Sequence, residues 1–138
     1  PLRRQRQMCI RDRVNIERQI EYWQQGAEED WAVANELLGK RRVRHGLFLA
    51  HLALEKALKA HVCRETQDMA PRIHNLVRLS QQAKLPLNEQ QFDLLAEMNA
   101  FQVEDRYPDF LATIPSESEA GSYLSRAREV FEWLMKRL

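Results

Sequence analysis

Apolar residues recur at steps of three and four along most of this chain, and no segment alternates apolar and polar positions as a half-buried strand would. The pattern is densest in Leu47–Val62, LFLAHLALEKALKAHV, which contains no Gly or Pro. On a helical wheel Leu47, Leu49, Ala50, Ala53, Leu54, Ala57, Leu58 and Ala60 fill more than half the circumference. An apolar surface that broad predicts a central helix packed by neighbours on several sides. His51, Glu55 and Lys59 recur on it at every fourth position, a line of ionisable groups set among hydrophobic ones.

Before it, Asn15–Leu38 places Ile16, Ile20, Trp23, Ala27, Trp31, Ala34 and Leu38 on one stripe, predicting a long amphipathic helix with both tryptophans inward. Gly26 inside it costs roughly 1 kcal/mol relative to alanine, and Gly39 is placed to end it. After Val62 the polar stretch up to Pro71 predicts a loop, and a short helix follows from His74 to about Ala83 with Leu76, Leu79 and Ala83 on one face. Asn88 with Gln91 forms a capping box for the next helix, whose expected apolar face is Phe92, Leu95, Ala96, Asn99 and Val103. Glu104–Pro115 has no helical continuation across Pro108 and Pro115 and reads as a loop. Ser116 and Glu119 cap a terminal helix with Ala120, Tyr123, Leu124, Ala127, Val130, Phe131 and Leu134 inward. The elements predict an all-α, antiparallel up-and-down helical bundle of four long helices plus one short helix.

With 138 residues the chain supports one domain around one core. Its N-terminal residues, PLRRQRQMCIRDR, share no pattern with the rest of the chain, and MCIRDR resembles a translated sequencing adapter. Residues 1–13 are therefore read as a non-native or disordered basic tail, and residues 14–138 as the domain. This division alters the charge argument. The tail holds five arginines and one aspartate; without it 16 of the 21 basic and 19 of the 20 acidic residues remain, a net charge of −3. The pI of about 8.3 then gives no support to a general nucleic-acid-binding field. No apolar run reaches 18 residues and the start lacks the apolar core of a secretory signal, so no membrane association is expected and the cytoplasm is the expected compartment. Cys9 and Cys63 have neither the number nor the spacing of a disulfide framework or zinc site, and Cys63 is expected to be a buried, inert thiol.

Phosphate loops of the Gly-rich kind, His-Glu-x-x-His, paired cysteines and a nucleophile elbow are all lacking. His51 and Glu55 share a helical face, but two ligands do not make a metal site. Glu55 precedes Lys59 by four residues, the favourable order for an ion pair, and His51 could join them from the preceding turn. The stripe is either a satisfied polar network that fixes packing or a dimer seam, or part of a ligand site. Lys40, Arg41, Arg42 and Arg44 either complement the first helix dipole or contact phosphate. Arg106-Tyr107-Pro108 sets a guanidinium suited to bidentate phosphate contact beside a ring that could stack on a base, with proline stiffening the backbone. Its structural alternative is an ion pair from Arg106 to Glu104, Asp105 or Asp109.

Taken together, Glu29-Asp30-Trp31, the run FLAHLALEKALKAHV at 48–62, Pro71 with His74-Asn75-Leu76, and Arg106-Tyr107-Pro108 before a capped helix resemble the HEPN domain family of small prokaryotic proteins. The resemblance spans Asn15–Leu138 and rests most specifically on residues 55–60 and the Arg-Tyr-Pro loop. It implies an all-α bundle, commonly homodimeric, associated with nucleotides or RNA and often encoded beside a minimal nucleotidyltransferase in a toxin–antitoxin or defence module. Active members of the family resemble metal-independent ribonucleases, with an Arg followed after four to six residues by a His that assists proton transfer.

This chain departs from that pattern, because the corresponding positions after Arg106 are Leu111, Ala112 and Thr113. Arg44 and His51 meet the spacing formally but lie on the wrong helix. The resemblance thus implies nucleotide or RNA binding by Arg106, Tyr107, His51 and Lys59, supported by Glu55, Lys56, His74 and Pro108, with no cofactor and no metal. Arg106 is the best candidate for a catalytic group, and whether the chain is an enzyme stays open. A non-catalytic protein-interaction module is the alternative function, and a metal-independent ribonuclease the third.

Overall fold

Helix signals spaced three to four residues apart govern the whole architecture. The computed structural model describes residues 2–102 and 114–138, with side chains from Asn15 onward. Its elements are α1 (Leu2–Gly39), α2 (Val43–Thr66), α3 (Leu76–Gln82), α4 (Glu89–Met98), a single 3-10 turn at Asn99–Phe101, and α5 (Glu117–Lys136). The described residues contain no strand, and the bundle expected from the sequence is the one observed. The backbone of α1 begins at Leu2, well before the Asn15 at which the apolar pattern starts.

α1 and α2 pack along one another as a hairpin, α5 lies against α2, and α3 and α4 close the remaining side. Buried Ile16, Ile20, Ala27 and Ala34 form the inner stripe of α1, with Trp23 and Trp31 half-buried along it. Trp31 stacks on Phe131 of α5 at 4.7 Å between ring centroids. α2 is buried on nearly every side, as its broad apolar surface requires. Two glycines record close approaches between these helices. A Cβ on Gly46 would lie 2.5 Å from Cγ of Leu38, so α1 and α2 meet there at a separation only glycine allows. At Gly26 a Cβ would lie 3.1 Å from Cδ of Lys56, whose side chain crosses that point to reach Asp30 at 2.8 Å.

Several expectations are corrected, the first being the end of α2, which runs to Thr66 instead of giving way to a loop after Val62. Gly39 does not reverse the chain; α1 runs through it, and the left-handed residue of the corner is Arg41, at φ 63°. The buried face of α4 is Leu94, Leu95 and Met98, whereas Phe92 is 41% exposed and Ala96 is exposed. The helix is only ten residues long and yields to the 3-10 turn at Asn99, so the register extrapolated to Asn99 and Val103 does not continue, and Val103 lies outside the described residues. Both capping boxes form as expected, Asn88 with Gln91 and Ser116 with Glu119. α3 is shorter than expected, with Asn75 as its N-cap.

Candidate functional site

The charged stripe of α2 is inside the bundle. His51, Glu55 and Lys59 are 1%, 4% and 5% exposed. A charge at such depth must be paired, and Lys59 Nζ donates to Glu55 Oε2 at 2.9 Å while lying 5.1 Å from the ring centre of Trp23 on α1. The loop between α2 and α3 brings a third group to the same oxygen. His74 Nδ1 is 3.1 Å from Glu55 Oε2, and its side chain is 41% exposed. Glu55 therefore joins a buried ammonium to an imidazole at the surface.

His51 behaves differently. Its Nδ1 is 3.9 Å from Glu55 Oε1, too far for a hydrogen bond, and neither ring nitrogen has a hydrogen-bond partner among the described residues. Burial lowers its pKa to about 4, although the Glu55 carboxylate and the nearby His74 backbone favour its protonated form. It is a neutral ring at pH 7. Lys56, about 100° around α2 from Glu55, is committed to Asp30 of α1. His61 is also buried, with Nε2 2.8 Å from the Leu134 carbonyl, and burial lowers its pKa. Cys63 is a free, buried thiol whose pKa burial raises, in line with an inert residue.

His74 lies on the rim of a cavity of about 490 Å³ whose other walls include Arg72, Asn75, Arg78, Asn99 and Gln102. The amides brace its floor across two elements. Asn99 Oδ1 accepts from the Leu76 backbone N–H at 2.8 Å, and Asn75 Oδ1 accepts from the Arg78 backbone N–H at 3.1 Å and from Asn99 Nδ2 at 3.3 Å. Arg72, Arg78 and Gln102 were not singled out from the sequence. Their only sequence signal is that the two arginines flank His74-Asn75, a polar stretch without periodicity.

Of the residues expected to form a site, the structure brings together His51, Glu55, Lys59 and His74, and separates Lys56 from them. Arg106, Tyr107 and Pro108 lie outside the described residues. No group of three or more His, Cys, Asp or Glu side chains among the described residues is arranged to hold a metal ion, and no described helix is long and apolar enough to cross a membrane.

The HEPN domain family matches residues 20–138. Among solved structures, the chain is similar to the TT1696 protein of Thermus thermophilus, with 22% identity and a TM-score of 0.70 over 86% of this chain and 98% of that one. It is also similar to ST0689, an archaeal HEPN homologue, with 16% identity and a TM-score of 0.64 over 86% of this chain and 96% of the other. No curated protein matches the chain.

Proposed function

The chain belongs to the HEPN domain family, and from that membership we propose that it binds the phosphate of a nucleotide or RNA, with Arg106 gripping phosphate and Tyr107 stacking on a base. The family is associated with nucleotide and RNA binding and with ribonuclease activity. The observation that carries the reading is the tether from buried Glu55 to His74, which fixes an imidazole at the rim of a cavity bordered by two arginines. His51 and Lys59 support it from within, Lys59 by holding the Glu55 carboxylate from behind. Covalent connection supports the part given to Arg106, which follows the cavity residue Gln102 by four positions, a reach of at most about 14 Å.

In this proposal residues 14–138 are the working unit, it acts as a homodimer, and its partner is a nucleotidyltransferase encoded nearby in a toxin–antitoxin or defence module. Calorimetric titration with ATP, GTP and a short RNA tests the binding. Arg106→Ala should abolish it without changing the melting temperature. Absence of binding by the wild-type chain, or an Arg106→Ala variant that binds normally, would overturn the assignment.

A further inference from the structure

We propose that the cavity bordered by Arg72, His74, Arg78 and Gln102 is the seat of a phosphate monoester, supplied either by a free mononucleotide or by the phosphorylated end of an RNA. The inference rests on the phosphate-binding function proposed for the chain and names the form of phosphate that it takes.

Charge comes first. Many cations of this chain are already engaged: Lys59 with Glu55, Lys56 with Asp30, Arg126 with Glu97, Lys84 with Glu65, and Arg41 with Glu117. Arg72 and Arg78 have no acidic partner within ion-pair distance among the described residues, and no described acidic side chain lines the cavity they share. Two arginines bordering one cavity with no described counter-ion repel each other, and an anion between them removes that cost.

Donor chemistry selects the anion. Gln102 Nε2 is buried and has no hydrogen-bond acceptor among the described residues. An amide N–H in that state lacks an oxygen. Asn75 and Asn99 are tied into the wall, because their oxygens accept from the backbone of α3. They hold the walls in place before any ligand arrives. Arg72 and Arg78 thus bring two positive charges to one space, and a phosphate monoester is the form of phosphate that balances both. Such a group carries a charge of about −1.5 to −2 at pH 7, whereas an internal phosphodiester has one negative charge and two unbridged oxygens. The volume of about 490 Å³ is that of a small-ligand pocket rather than a single-ion cleft.

The test compares ligands that differ only in the monoester, using the full chain. AMP is titrated against adenosine, and a ten-nucleotide RNA with a 5′-phosphate against the same RNA with a 5′-hydroxyl. AMP should bind where adenosine does not, or the phosphorylated RNA should bind at least about tenfold tighter than its hydroxyl form, the two arms separating a free nucleotide from an RNA end. Arg72→Gln and Arg78→Gln should each weaken monoester binding about tenfold at unchanged melting temperature, and Arg78→Lys should recover only part, since a lysine lacks the planar fork. If RNA binds equally with either end and only Arg106→Ala reduces it, the monoester site is wrong while phosphate binding stands. If none of the four ligands binds, both proposals fail.

Discussion

Glu55 and His74 are 19 positions apart in the chain and 3.1 Å apart in space, and Glu55, whose carboxylate also holds Lys59, is 4% exposed. One buried acid thus neutralises an interior ammonium and aims a surface imidazole. Removing it has unequal consequences for the two partners, since Lys59 would remain buried without a counter-charge while His74 could turn to water.

Glu55→Gln is therefore expected to destabilise the fold on the order of 3 kcal/mol, the usual cost of breaking a buried ion pair by removing one member. His74→Ala should cost under about 1 kcal/mol, as its side chain is 41% exposed. Urea denaturation of both variants measures the difference, and equal losses would contradict the geometry.

His51 makes stability depend on pH. Its folded pKa of about 4 lies below the ordinary value of 6.5, so the unfolded chain binds a proton that the folded chain refuses. Its contribution is fully present above pH 6.5 and declines as pH falls toward about 4, by on the order of 3 kcal/mol in total. Burial of His61 acts in the same direction. Melting curves between pH 7.5 and pH 4 should show this loss, and His51→Leu should flatten it. An equally steep profile in that variant would remove His51 as the cause.

Gly46→Ala should destabilise by about 1–3 kcal/mol, because the added methyl would sit 2.5 Å from Leu38 Cγ and force the α1–α2 pair apart. Gly26→Ala meets the flexible stem of Lys56 at 3.1 Å, where a small shift is enough, and the gain in helix propensity offsets it. Thermal denaturation should rank Gly46→Ala well below Gly26→Ala.

Ser116→Ala removes the acceptor for the Glu119 backbone N–H at the start of α5. A loss of about 1 kcal/mol is expected, with faster amide hydrogen exchange confined to the first turn of that helix. Protection lost uniformly along α5 would show that the cap does more than hold one end.

The helices, both capping boxes, the Glu55–Lys59 pair and the family were legible in the sequence because each depends on residues three or four apart on one helix, or on a fixed order of short motifs. Where the local rule was carried past its element it failed: the α4 face extrapolated from Phe92 ends at the 3-10 turn, and the αL residue falls at Arg41 instead of Gly39. The sequence alone also located His51, Glu55 and Lys59 on one line. Their depth, the arrival of His74 at Glu55, the diversion of Lys56 to Asp30 and the shared cavity of Arg72, Arg78 and Gln102 were decided by tertiary packing. Those relationships join side chains from different elements, and their distances depend on how closely helices approach, which at Gly46 comes down to the absence of one methyl group.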